Sequence, residues 1–469
     1  MKRTCILIAA LCYCCALTWA QSSRPNIVFL FTDDQRFDSF GALGNPDVKT
    51  PHMDRLIESG TLFTQAHIQG SMITATCLPS RAMIMSGKSL FRAPMQLDTG
   101  LLLPQALQSA GYTTFATGKW HNGQESFLRC FEQAEAVFFG GASRTHTNVP
   151  LNYREGEEMI PYEVPGEHAT TLFADAAIAF LKSQQDSDTP FFCYVPFTAP
   201  HTPHTPPGEY GSMYDPKKIS LPPNHSSVLS QDESRSTPRG SRRSQGQDPQ
   251  ARYAAYYGMI SHLDHHIGRI TSAINQYDHS KDTLIILATD HGYSFGSHGE
   301  NNKANGYEHG SRSTIAFTGP QIPPGKRTPA LAYLLDLYPT LCDLAGTSIP
   351  PSIDGKSLLP VITGEKTSVR ETLFTAFMTN QRTIRNERWK LFSRLGDGPD
   401  ELFDLKNDPH ELRNLANQAA YAPLIQQLKT QLDHDRLQAG DSPERVQQIM
   451  QSRRGGRRGS RNRTRPNGN

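Results

Sequence analysis

Net charge is almost absent from this chain. Its 469 residues carry 47 lysines and arginines against 45 aspartates and glutamates, which leaves +2. A balance so close to neutral supplies no electrostatic footprint for a nucleic-acid partner. Cysteine is scarce as well. Of eight, Cys5, Cys12, Cys14 and Cys15 stand in one apolar N-terminal stretch, and Cys77, Cys130, Cys193 and Cys342 are widely spaced. Four cysteines over so long a chain exclude a disulfide framework, and spacing leaves open whether one bridge forms among Cys130, Cys193 and Cys342. Long apolar runs are missing beyond residue 20, so no later segment reaches the ~20 apolar residues of a membrane span.

The exceptions lie at the two ends. Met1-Lys2-Arg3, an apolar run from Cys5 to Trp19 and small Ala20 before Gln21 read as a cleaved signal peptide over 1–20. The expectation is a secreted or periplasmic protein with no transmembrane segment after cleavage. The tail over 447–469 holds seven arginines and no acid and reads as a solvated, disordered extension.

Between those ends one grammar recurs. "NIVFLFTDD" (26–34), "PFFCYVPFTAPH" (190–201) and "TLIILATDH" (283–291) are short continuous apolar runs that end in polar, ligand-type residues; "YTTFATGKWH" (112–121) is a weaker fourth. Continuous rather than alternating hydrophobicity means that both faces of the strand are covered, as in a parallel sheet flanked by helices. Helical patterns separate the runs, over Pro51–Ser59, Pro104–Ala110, Thr170–Gln185 and Ala251–Gln276. Thr50 stands as N-cap of the first, with Pro51 at its opening position and Gly60 as its stop. In an open α/β sheet the site gathers outside the carboxyl ends of the strands. Four strands ending in Asp, His or Lys therefore point at one site.

Two of those ends carry paired ligands, Asp33 with Asp34 and Asp290 with His291. An aspartate at a strand end also serves to cap the next helix. Two such pairs in the same position favour a cation instead, because converging carboxylates repel unless one sits among them. Hard oxygen donors suit Ca²⁺, with Mg²⁺ the alternative occupant.

"RPNIVFLFTDDQ", "CLPSR", "GKWH", "APHTP", "TDHG" and "HGENNK", in that order, resemble the sulfatase family of the alkaline-phosphatase superfamily. The likeness runs from about Arg24 to Asn417 and includes "ELFDLKNDPHELRNL" (401–415). It implies that Cys77, in Cys-x-Pro-x-Arg, is oxidised to formylglycine by a formylglycine-generating or sulfatase-maturating enzyme. It further implies that Asp33, Asp34, Asp290 and His291, with residue 77, hold one calcium ion. His291 departs from the commoner Asn, and a neutral imidazole still ligates. Arg81 would brace the formylglycine and the metal-site carboxylates. Lys119, His201 and Lys303 would grip the sulfate, with His121 beside the nucleophile. His201 is the expected acid for the leaving group, with Lys303 next; His204 is expected at the rim. His298 is assigned either to the leaving-group side or to packing, and Glu308 with Arg312 to an internal ion pair.

The resulting expectation is an alkaline-phosphatase-like α/β fold, a doubly wound, mostly parallel mixed sheet over 21–365 with a surface insertion at 206–250. A smaller C-terminal α+β domain follows over 366–446, because "TLFTAFM", "QRTIRNERWKLFSR" and "DELFDL" alternate like antiparallel strands. The implied activity is hydrolysis of sulfate monoesters on a sulfated carbohydrate. Two rivals remain: a phosphate or phosphonate ester hydrolase of the same superfamily, and a catalytically inactive calcium-dependent glycan-binding protein.

Overall fold

A computed structural model describes residues 24–227, 248–395 and 398–449. The signal-peptide reading, the arginine tail beyond 449 and the middle of the 206–250 insertion lie outside the described residues.

Fifteen strands build two sheets. In chain order they are β1 (Asn26–Thr32), β2 (Thr61–His67), β3 (Gly70–Ser71), β4 (Thr113–Lys119) and β5 (Gln133–Phe138). Next come β6 (Leu151–Glu155), β7 (Glu158–Tyr162), β8 (Phe191–Pro196), β9 (Thr283–Thr289) and β10 (Arg312–Thr318). The last are β11 (Lys326–Tyr333), β12 (Leu373–Phe377), β13 (Gln381–Arg385), β14 (Trp389–Arg394) and β15 (Glu401–Asp404). The large sheet has the order β11-β2-β10-β9-β1-β8-β4-β5-β6-β7. Its centre, β9-β1-β8-β4-β5, is wholly parallel, and β10, β6 and β7 add antiparallel pairings toward the edges.

All four apolar runs read from the sequence are central parallel strands. Their continuous hydrophobicity has the anticipated cause, since successive side chains point to opposite faces. Ile27, Phe29 and Phe31 enter one core, whereas Val28 and Leu30 enter the other. Tyr194 and Cys193 divide in the same way, as do Ile286 and Leu287.

Six helices matter for the site: α1 (Pro51–Glu58), α2 (Cys77–Ser86), α3 (Leu103–Ser109), α4 (Gln124–Cys130), α5 (Ala169–Ser183) and α6 (Pro249–Gln276). Residues of α1, α5 and α6 fill one core, and those of α2, α3 and α4 the other, which makes the sheet doubly wound. Thr50 does occupy the N-cap position of α1, but it does not cap with its side chain. Its hydroxyl donates to Asp54 Oδ1 at 2.9 Å. The helix N–H groups of His52 and Met53 go to the Asp264 carboxylate of α6, at 3.1 and 2.7 Å to Oδ1. Thus a side chain distant in sequence supplies the cap that the local residue was expected to give.

The second sheet runs β15-β14-β13-β12-β3, with a helix over Ala422–Gln438 packed on it. Its edge strand β3 comes from Gly70–Ser71, just before α2, so this C-terminal sheet is anchored to the segment that leads into residue 77. Leu373, Phe374 and Leu391 belong to the same hydrophobic cluster as Met83 and Leu337. Cys77, Cys130, Cys193 and Cys342 are all buried and unpaired, so no disulfide forms among the described residues.

Candidate active site

Four backbone segments converge at the carboxyl edge of the parallel sheet. β1 runs out into Asp33 and Asp34, β9 into Asp290 and His291, β4 ends on Lys119, and the segment after β8 carries His201. Backbone bonds lock these ends together: Asp33 N–H donates to Ala199 O at 3.1 Å and Asp290 N–H to Thr32 O at 3.0 Å. Asp34 takes a left-handed conformation, φ 63°. This region is uncommon outside glycine and more readily tolerated by Asp, and it turns the chain so that neighbouring carboxylates reach one centre. Cys77 opens α2, where the helix dipole favours a developing negative charge.

Every residue singled out from the sequence for calcium lies there. Asp33, Asp34, Cys77, Asp290 and His291 are buried, and each offers one ligand atom within 4.8 Å of the others. Cys77 Sγ stands 3.3 Å from Asp33 Oδ1, 3.3 Å from His291 Nε2 and 2.9 Å from Lys303 Nζ. Lys303 Nζ also donates to Asp34 Oδ1 at 2.7 Å. Lys119 Nζ pairs with Asp33 Oδ2. Arg81 bridges the two strand ends, at 3.7 Å to Asp33 Oδ2 and 3.6 Å to Asp290 Oδ2, and donates to Lys119 O at 3.0 Å. His201 Nε2 lies 3.6 Å from Asp34 Oδ2, while its Nδ1 donates to Thr202 O at 2.8 Å. His121 completes the set as a hydrogen-bonding neighbour of Cys77.

The donor set fits a cation. His291 Nδ1 donates to the Gly292 carbonyl at 2.8 Å, and Nε2 faces Asp34, Asp290 and Cys77. Burial alone would lower its pKa, but the charges of Asp290, Cys77 and Asp34 push it up to about 9, so a bound cation would take the place of the proton on Nε2. Asp290 Oδ2 is buried without a hydrogen-bond donor. Burial and the neighbouring Asp33 charge push the Asp290 carboxyl well above the usual carboxylate range. Burial would raise Asp33 too, but Lys119, His201 and Arg81 outweigh it and hold that carboxyl well below the range. One carboxylate is thus compensated by protein cations, and the other is left for an ion.

Of the readings of neighbouring residues, the Glu308–Arg312 pair is the one revised. His298 stacks on Tyr307, centroids 4.2 Å apart, with Nε2 donating to His410 O at 3.2 Å, so it packs the base of the loop. Glu308 pairs not with Arg312 but with Arg385 at 2.8 Å and Lys390 at 3.0 Å; Arg312 instead lies 4.0 Å over the Phe37 ring. Both partners of Glu308 come from β13 and β14, a long-range contact no local spacing encodes. His204 stands near the mouth, its ring 5.1 Å from Phe295 and 5.4 Å from Tyr256. A further grouping of His298, His309 and Glu411 brings ligand-type atoms together. Lys390 already sits 2.8 Å from Glu411 Oε1, so the positive charge there is supplied by the protein.

Several supporting residues left no signal in the sequence. Ser80 Oγ donates to Asp290 O at 2.6 Å, and Tyr256 of α6 donates to Asp34 O at 2.8 Å. Gly141 cradles His121, since a Cβ there would come 2.2 Å from its Nε2. His146 Nε2 donates to the carbonyl of His201 at 2.8 Å.

A doubly wound α/β sheet with a cation-ready carboxylate cluster around a helix N-terminal nucleophile position defines a hydrolase of the alkaline-phosphatase-like superfamily. The chain belongs to the sulfatase family, whose model, described as Sulfatase, matches residues 25–347. It is thus a sulfuric ester hydrolase. A second model, described as N-sulphoglucosamine sulphohydrolase, C-terminal, matches residues 296–438. An ulvan-active sulfatase of Formosa agariphila is 26% identical over 446 residues, covering 90% of this chain and 83% of the relative. Among solved structures, one in complex with its substrate D-glucosamine-2-N,6-O-disulfate superposes with a TM-score of 0.75 at 23% identity, covering 90% of this chain and 99% of the other. A phosphonate monoester hydrolase of Agrobacterium radiobacter shares the fold with a TM-score of 0.71 at 24% identity, over 89% and 96% of the two chains.

Proposed function

We propose that the protein is a secreted sulfatase that hydrolyses sulfate monoesters on a carbohydrate, with residue 77 as formylglycine and one calcium ion. The observation that carries this reading is the position of residue 77. Its side-chain tip touches Asp33, His291 and Lys303 within 3.3 Å, inside the ring formed by Lys119, Arg81 and His201. A thiol in that ring is a poor catalyst because, once sulfated, it has no internal route to expel sulfate. A hydrated aldehyde has one. Relatives and neighbours that act on or hold sulfated sugars support the carbohydrate. Secretion rests on the N-terminal sequence alone.

In this reading Asp33, Asp34, Asp290 and His291 hold the calcium, which when bound offsets negative charge on the sulfate and favours an ionised nucleophile. Lys119, Lys303 and His201 fix the sulfate oxygens and stabilise charge that develops on them. One hydroxyl of the aldehyde hydrate, its proton lost to solvent, attacks sulfur. The bond from sulfur to the ester oxygen breaks, and His201 in its doubly protonated form, with Nδ1–H kept on Thr202 O, protonates the departing alcohol from Nε2. His121, whose pKa is lowered chiefly by burial, then takes the proton of the second hydroxyl. The carbon–oxygen bond to the sulfate breaks, the aldehyde re-forms, and water restores the hydrate.

The decisive experiment is release of sulfate against phosphate or phosphonate from matched aryl esters. Sulfate release faster by ~10² or more in kcat/KM supports the reading. Preference for phosphonate would move the assignment to the neighbouring hydrolases. Calcium-dependent glycan binding without turnover would mark a binding protein.

A further inference from the structure

Among the described residues, one cation stands beside this site without an acidic partner. Arg252 lies in the first turns of α6, four residues before Tyr256, so both occupy the same helical face. Tyr256 touches the metal-site backbone through its bond to Asp34 O. One turn away, the Arg252 guanidinium lies 4.9 Å over the Phe295 ring and reaches Asn301 Oδ1 at 3.4 Å. Asn301 is in the same loop as Lys303, two residues earlier. Among the described residues no carboxylate pairs with Arg252, whereas Arg36, Arg81 and Lys119 are all paired. Tyr293 OH donates to Asn301 O at 3.3 Å in the same loop; burial and Asp34 raise its phenol, and Lys303 and Arg252 pull it down.

We propose that Arg252 binds a second anionic group of the substrate, a carboxylate or a further sulfate, beside the sulfate clamp. The inference rests on the sulfatase reading above. A guanidinium seated over an aromatic ring, with one N–H on Asn301, loses little freedom when its remaining N–H groups meet a planar or tetrahedral anion. Its aromatic seat is provided by Phe295, whose ring lies 5.1 Å from that of half-buried His204. The substrate class is thus a polyanionic saccharide with two negative groups close together, and a singly sulfated neutral sugar is the poorer match.

The test compares wild type, Arg252→Lys and Arg252→Gln on three substrates: a small aryl sulfate, a disulfated hexosamine and a sulfated disaccharide bearing a uronic acid. The expected result is a preference of the wild type for at least one doubly anionic sugar. Arg252→Gln should lower that preference, as a ratio of kcat/KM to the aryl sulfate, by about 10-fold or more, mainly through KM. Arg252→Lys should recover only part of it. Preference for the disulfate identifies a sulfate at the second position, and preference for the uronide identifies a carboxylate. Equal losses on all three substrates, or a wild type without preference for either doubly anionic sugar, would overturn the proposal. Absence of sulfate release from the aryl ester by wild type would instead overturn the sulfatase reading itself. Thermal melting of both variants near that of the wild type separates loss of recognition from loss of fold.

Discussion

Lys303 Nζ stands 2.9 Å from Cys77 Sγ and 2.7 Å from Asp34 Oδ1, so a single cation touches both the residue to be modified and a metal-site carboxylate. A second lysine, Lys119, pairs with another metal-site carboxylate, Asp33. Each of Lys119, His201 and Lys303 is therefore expected to matter through transition-state charge. Substitution of any one by Ala should lower kcat/KM on an aryl sulfate by ~10² or more with the melting temperature little changed. His204→Ala should cost less than ~10-fold, because its ring packs on Phe295 and Tyr256 rather than on Asp34. A costly His204 beside a silent His201 would reverse the assignment of the acid.

Maturation is checked by mass. Protein co-expressed with the modifying enzyme should yield a peptide in which residue 77 is about 18 Da lighter than cysteine, the change from CH₂–SH to CHO. Cys77→Ser should fold, since the side chain is small and its neighbours are unchanged, yet be nearly inactive in a host that does not oxidise serine. High activity in a sample whose thiol is wholly intact would rule the mechanism out.

Chelation addresses the metal. Removing the ion leaves Asp290 Oδ2 buried without a hydrogen-bond donor and beside the Asp33 charge. At a calcium concentration ~100 times its dissociation constant, the ion contributes about 2.7 kcal/mol of stability, which a chelator should remove along with activity. Asp290→Asn should raise the calcium needed for half-maximal activity. A chelator that shifts neither melting nor turnover would refute the site.

Acid should loosen the loop that carries His201. His146 bonds the His201 carbonyl and stacks on His168, which meets His262, whose Nε2 lies 3.1 Å from that of His266. Burial, then neighbouring charge, lowers His168 to about 3, His262 to about 2 and His266 to about 4. Around them stand His265, Tyr210, Arg269 and, paired with the arginine, Asp175. The folded state refuses protons that the unfolded chain accepts below its histidine pKa near 6.5. Stability should therefore fall as pH drops from about 6.5 toward 4, by up to ~1.4 kcal/mol per pH unit for each group. His262→Gln should make that fall shallower in urea unfolding followed at several pH values. An unchanged slope would show that these histidines are not the cause.

Much of this site was legible before any fold was known. Continuous apolar runs determined buried parallel strands, because only a strand covered on both faces needs hydrophobic residues at successive positions. Polar residues at the ends of those strands determined where a site must gather, and the short motifs around Cys77, Lys119, His201, Asp290 and Lys303 carried the resemblance to the sulfatase family, which the match over residues 25–347 bears out. What the tertiary structure decided are contacts between positions far apart in the chain. Asp264 caps α1 in place of Thr50, Glu308 finds Arg385 and Lys390 rather than Arg312, and β3 joins the C-terminal sheet to the entrance of α2. Only the fold left Arg252 without a carboxylate among the described residues, beside Lys303's loop, since an arginine's partners are set by the elements that pack around it. Local sequence sets propensity and periodicity over a few residues, while charge pairing and capping are settled by whichever donors and acceptors the packed elements bring within about 3 Å.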